Sequence, residues 1–169
     1  MRDFLDEIEA TVPALRRYAR ALTRDADRAD DLVQDCLERA IRKRGLWRPT
    51  GPVRAWLFTM LLNLYRNELR SRKRRGEHFP IDELIAPPAV APSQPGHIAL
   101  AELARALDKL PTEQREALLL VVLEGTSYAE AAGMLDVPIG TLMSRLGRAR
   151  AALRRLTGDG EEPHLRAVK

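Results

Sequence analysis

Apolar side chains recur along most of this chain at three- and four-residue intervals, which is the signature of amphipathic helices. Phe4, Ile8, Val12, Leu15, Tyr18/Ala19 and Leu22 form a first stripe. Pro13 falls inside it and is expected to bend or interrupt that helix. Asp27 with Asp30 reads as the start of a second helix, whose face is Ala29, Val33, Cys36, Leu37 and Ala40. After a break from Gly45 to Pro52, a third stripe runs through Val53, Trp56/Leu57, Met60/Leu61, Leu64 and Leu69, ending near Arg75. Ile98, Leu103, Leu107 and Leu110 predict a fourth helix. Pro111-Thr112 opens a fifth that ends at Gly125. Ser127 and Glu130 form a capping-box pattern for a sixth, which stops near Asp136. A seventh runs from Ile139 to Leu156. Alternating β-branched runs are missing, so the expected class is all-α.

The stripes stop between Gly76 and His97, where five of the eleven prolines lie. Proline fixes φ and removes an amide donor, so this stretch reads as an extended spacer. The chain therefore divides into a helical domain at 1–75, a Pro-rich linker at 76–97 and a second helical domain at 98–157. A polar tail at 158–169 is expected to be disordered.

A net charge of +4 on 169 residues says little until it is divided. Residues 1–41 carry seven Lys/Arg against ten Asp/Glu, whereas residues 42–75 carry eleven against one. The excess positive charge sits in one block, which suggests a polyanionic partner. No apolar run is long enough to span a membrane, and the acidic N-terminus lacks a signal peptide's apolar stretch, so a cytoplasmic chain is expected. The single cysteine, Cys36, excludes an internal disulfide and a cysteine zinc cage. It lies on an apolar helix face and reads as a buried small hydrophobe. Phosphate loops and metal-ligand pairs are missing, and no cofactor is implied. An enzyme is not expected.

Thr126 to Leu156 has the pattern of a helix-turn-helix: a short helix, a tight turn and a longer basic helix. On a wheel centred on Leu142, the residues Leu146, Ala149, Leu153 and Leu156 share its side. Thr141, Ser144, Arg145, Arg148 and Arg155 lie roughly opposite at ~100° per residue. Residues 139–156 hold five arginines and no acid, which suits base edges and phosphates in a major groove. The glycine expected in the turn is replaced by Asp136-Val137-Pro138. A second basic helix carries Asn63, Tyr65, Arg66, Asn67 and Arg70, side chains able to grip a single strand. Asp31, Gln34, Asp35 and Glu38 share one face of the second helix and suggest a docking surface for a basic protein.

These segments resemble the extracytoplasmic-function (ECF) sigma factors of bacterial RNA polymerase, over about 150 of the 169 residues and in order. Asp25–Ala40 (DADRADDLVQDCLERA) is similar to their polymerase-binding helix, and Ala55–Arg75 (AWLFTMLLNLYRNELRSRKRR) to their −10-reading helix. Leu110–Leu118 (LPTEQREAL), Val137–Thr141 (VPIGT) and Ser144–Arg150 (SRLGRAR) resemble their −35-reading domain. The resemblance implies that Asp31, Gln34 and Asp35 dock on core RNA polymerase. It places Asn63, Arg66, Asn67 and Arg70 at the −10 element of promoter DNA, where a flipped base is captured. It places Thr141, Ser144, Arg145 and Arg148 at the −35 element. It further implies a monomer under control of an anti-sigma factor, answering stress or another signal. Met143 stands where the family often has lysine, and Asp35 where it usually has glutamate.

Two other readings compete. One is a sigma mimic that sequesters an anti-sigma factor without binding promoters. Such mimics usually carry a receiver domain, for which 169 residues leave no room. The other is a stand-alone repressor using only the C-terminal helix-turn-helix, which leaves the acidic helix and residues 53–75 unexplained.

Overall fold

The computed structural model describes residues 3–47, 51–76 and 95–158. Most of the expected linker and nearly all of the expected disordered tail lie outside the described residues. Those described form seven α-helices and one 3₁₀ turn, with no strand among them. The helices are α1 (Phe4–Thr23), α2 (Ala26–Arg42), α3 (Val53–Arg74), α4 (Pro95–Asp108), α5 (Thr112–Val122), α6 (Tyr128–Leu135) and α7 (Ile139–Thr157). The 3₁₀ turn, Arg44–Leu46, follows α2. No described helix is long and apolar enough to cross a membrane.

α1, α2 and α3 pack on one another as a first module. Its interior is Leu15, Leu22, Leu57, Phe58, Leu61 and Leu62, all essentially inaccessible, and the rings of Tyr18 and Phe58 meet at 5.3 Å. Contrary to expectation, Pro13 does not interrupt α1. It lies on the exposed face, as does Glu9, whose carbonyl it leaves without a helical partner. Water can take over that bond. α2 begins earlier than Asp27 and Asp30 suggested. Asp25 is its cap and accepts a hydrogen bond from the Arg28 amide at 3.0 Å. Both tryptophans lie beside the start of α1, with Phe4 at 5.3 Å from the Trp47 ring and 6.1 Å from that of Trp56.

α4 to α7 form the second module, built on Leu120, Leu135, Leu142 and Leu146. α4 starts at Pro95, three residues before the predicted boundary, as suits a residue with no amide to satisfy in a first turn. The expected apolar face of α4 is only partly used. Leu110, just beyond it, is buried, but Ile98 is 61% exposed. Leu156 is likewise 42% exposed, because α7 outruns its neighbours. The capping box of α6 is present: the Glu130 amide donates to Ser127 Oγ at 3.2 Å, and the Ser127 amide to Glu130 Oε2 at 2.9 Å. That backbone bond holds the Glu130 carboxyl below the usual range. Asp136 takes the left-handed conformation the missing glycine would have adopted, with φ of 55°. Aspartate tolerates this better than most residues, so the α6–α7 turn closes without glycine.

The two modules do not stand apart. Their buried residues merge into one continuous apolar cluster, with α3 against α6 and α1 against α5. Tyr18 Oη crosses the seam and donates to the Glu116 carbonyl at 3.0 Å.

Cys36 is fully buried, and its Sγ lies 3.5 Å from the Leu57 carbonyl. Burial pushes its thiol up to about 12. The thiolate is the reactive form. Native protein at pH 8 is therefore expected to react with a thiol-specific reagent far more slowly than guanidine-unfolded protein; equal labelling rates would contradict the burial.

Candidate nucleic-acid interface

Asn63, Arg66, Asn67 and Arg70 project from α3 at three- and four-residue spacing, which places them along one side of the helix. Asn63, Asn67 and Arg70 are exposed, but Arg66 is not free. Its Nη2 donates to Glu116 Oε2 at 2.8 Å, and its Nε lies 3.2 Å from both carboxylate oxygens. The Glu116 side chain is completely buried, and its hydrogen bonds and charge hold the Arg66 guanidinium above its ordinary range. The sequence reading assigned Arg66 to DNA and did not foresee this partner.

Around Asn63 the surface is concave. Arg39, Lys43, Leu46, Trp56, Thr59 and Met60 line a groove with it, an apolar floor under two cations. Trp56, expected on the inward face, packs against the core and also borders this groove. Farther along α3, Asn67 and Arg70 share a recess with Lys73 and Arg74.

Thr141, Ser144, Arg145 and Arg148 come together as expected. All four line one groove, with Gly140 beside them and Pro111, Glu113 and Gln114 from the start of α5 opposite. Leu142, Leu146 and Ala149 anchor the other face of α7, which fixes the direction of the polar set. Arg148 is exposed, whereas Arg145 Nη2 lies 3.4 Å from Glu113 Oε2. Met143 is exposed beside this set. Asp31, Gln34 and Asp35 are all exposed on α2, with Gln34 donating to Glu38 at 3.1 Å.

A second buried carboxylate joins the modules. Glu124 has a fully shielded side chain and receives Arg17 Nε at 3.0 Å and Nη2 at 2.8 Å. Arg54 Nη2 also reaches it, at 3.1 Å, while the Arg54 guanidinium stacks 5.0 Å from the Phe58 ring centre. Arg115 Nη2 donates to Tyr65 Oη at 3.2 Å, and Arg24 lies 3.6 Å from Asp108. Sequence reasoning missed Glu116, Glu124, Arg17 and Arg54. Each is an ordinary charged residue until packing brings it to its partner.

Comparison with known proteins covers both modules. Residues 8–62 match the Sigma2 domain of PhyR, and residues 100–153 match sigma-70 region 4. The chain is 45% identical over 159 residues to the ECF RNA polymerase sigma factor EcfG of Rhodopseudomonas palustris, covering 93% of this chain and 87% of that one. It is 38% identical over 144 residues to the ECF sigma factor SigM of Mycobacterium tuberculosis, covering 85% and 71%. Among solved structures, the sigma factor RpoE from Bartonella quintana, in complex with the anti-sigma factor NepR, aligns with a TM-score of 0.77 and 36% identity. That alignment covers 95% of this chain and 100% of the other. CnrH, in complex with the cytosolic domain of CnrY, aligns with a TM-score of 0.69 and 29% identity, covering 94% and 89%. PhyR itself, in complex with NepR, has 18% identity and shares the fold.

The buried Arg66–Glu116 pair gives a stability prediction. Removing one partner of a buried pair strands the other charge, at a cost of about 3–5 kcal/mol. Arg66→Met is expected to lower the unfolding free energy from urea titration by about that much, and Arg66→Met/Glu116→Met to recover much of it. Equal stabilities for the single and double variants would contradict a stranded Glu116 charge.

Proposed function

We propose how the surface of this chain, which belongs to the ECF RNA polymerase sigma factors of the sigma-70 family, is divided between polymerase and promoter. A sigma factor directs core RNA polymerase to promoters and is not itself an enzyme. The observation that carries the division is the shared groove of Thr141, Ser144, Arg145 and Arg148 on α7. In this reading α7 enters the major groove of the −35 element, with Arg148 on a guanine edge and Thr141 and Ser144 on phosphates or bases.

α3 handles the −10 element. Asn63, Arg66, Asn67 and Arg70 face the DNA, and the groove beside Asn63 offers what an unstacked base needs. Trp56 and Met60 supply an apolar floor, and Arg39 and Lys43 supply charge for the strand. A flipped base is read on its hydrogen-bonding edge, and that binding offsets the cost of unstacking it. The acidic face of α2, with Asp31, Gln34 and Asp35, docks on core polymerase. An anti-sigma factor is the proposed regulator, supported by the two sigma relatives whose structures are complexes with NepR and CnrY. A stress- or signal-responsive regulon belongs to the same reading. The sigma-mimic reading is set aside because the near-full-length relatives reported above are sigma factors.

The test is reconstitution. Core polymerase with this chain should give promoter-dependent transcripts that core alone does not give; their absence would refute the reading. On the same promoter, Arg148→Ala should weaken −35 duplex binding by about 1–3 kcal/mol, the worth of a good bidentate base contact. Unchanged promoter activity would reject that contact. Asp31→Arg is expected to lower core-polymerase affinity without altering helix content, and equal affinity in a pull-down titration would count against the acidic face.

A further inference from the structure

α7 shows solvent more than its polar set. Met143, in the second turn of the helix, is 54% exposed, and Ile139, four residues earlier, is 50% exposed. Neither belongs to the apolar cluster of the described residues, which Leu142, Leu146 and Ala149 join from the same helix. Single exposed apolar side chains are ordinary on a protein surface, and what sets Met143 apart is its place. Stepping ~100° per residue from Leu142, Met143 falls at about 100°, and Ser144, Arg148, Thr141 and Arg145 span about 200° to 300°. Gly147 and Gly140 fall between them, at about 140° and 160° on the same wheel. Both glycines are exposed, and a Cβ on either would meet nothing within 4 Å. Met143 and the polar set therefore border one continuous surface, with a strip free of side chains between them.

The chemistry of that border is narrow. A methionine has no charge for a phosphate and no hydrogen-bond donor for a base edge. Its thioether chain is apolar, polarisable and flexible, so it adapts its shape to an apolar neighbour. Within a major groove the C5-methyl of thymine is such a neighbour, and apolar side chains recognise thymine through it. A recognition helix brings its N-terminal residues to the base edges, and Met143 lies in that part of α7. Ile139, at about 60° on the same wheel, stands on the outer side of Met143, away from the glycine strip.

We propose that Met143 is a specificity-determining residue of this chain: it packs on the C5-methyl of a thymine in the −35 element, beside the pairs read by the polar set. The inference rests on the reading of α7 as the −35 helix and adds an apolar contact to its polar ones. The two kinds of contact differ in what they select. An arginine gains from a guanine edge but also from any phosphate, so part of its attraction is blind to sequence. A methyl contact gains nothing from the backbone and is lost with the wrong base. Met143 thereby adds discrimination without adding affinity for DNA at large.

The test uses holoenzyme, assembled from core polymerase and the full chain, on a promoter duplex that it transcribes. Binding is measured at a temperature too low for strand opening. Each thymine of the −35 element, on either strand, is replaced singly by deoxyuridine, which removes the methyl and keeps every hydrogen-bonding group. At least one replacement should weaken wild-type binding by about fourfold, the worth of one buried methyl-sized group. Holoenzyme with Met143→Ala should bind the parent duplex more weakly by a similar factor and be indifferent to that replacement. Met143→Leu, still apolar, should remain sensitive to it. Wild-type binding that no replacement changes would overturn the contact, as would equal sensitivity in Met143→Ala or a −35 element with no thymine on either strand. A duplex with its −35 pairs scrambled is scored separately. If the wild type does not distinguish it from the parent, the −35 reading of α7 fails and takes the contact with it; if it does, a flat uracil series overturns Met143 alone.

Discussion

The packed form depends on a carboxylate that has no access to water. Glu116 has left solvent entirely, which is tolerable only because Arg66 meets it with three short donor contacts and Tyr18 fastens its backbone. A charge moved from water into a protein interior needs such a partner, because its desolvation costs several kcal/mol even after relaxation. The partner comes from the other module, so the pair ties the two sets of helices together. Around it the apolar cores merge, Glu124 takes two more arginines, and Arg115 reaches Tyr65. Without Arg66, Glu116 would be a stranded charge among the remaining contacts of the seam.

The local rules of the chain were readable in advance because they depend on near neighbours. The α6 capping box involves residues three apart, and the stripe that directs α7 needs only its own periodicity. The convergence of Thr141, Ser144, Arg145 and Arg148 followed from that stripe. Asp136 was noticed as the residue in place of a turn glycine, and its positive φ explains how the substitution works. Pro13 misled because the rule against proline inside helices says nothing about which face it occupies. Asp27 misled because Asp25 offers the same capping chemistry one half-turn earlier. The inter-module pairs were not readable at all. Glu116 lies 50 residues from Arg66, and Glu124 lies 107 from Arg17. In sequence both glutamates belong to a stretch with equal numbers of each sign, and only the fold reveals that they are dry.

The charge pattern now has a physical sense. Its densest positive block runs through α3, where Asn63, Asn67 and Arg70 stay exposed while Arg54 and Arg66 are neutralised from the second module. The acidic positions of α2 stay in water, on a face the seam does not use. One helix of the first module thus remains available to a protein while its neighbour is partly covered.

The two tryptophans carry an experimental corollary. Trp47 and Trp56 both sit beside Phe4 in the first module, and the chain has no others. Their emission senses the packing of α1 against α3 and has no probe in α4 to α7. An intrinsic-fluorescence melt of this protein is therefore a melt of one module. The second module could loosen, or part from the first, in optical silence unless an indole were placed within it.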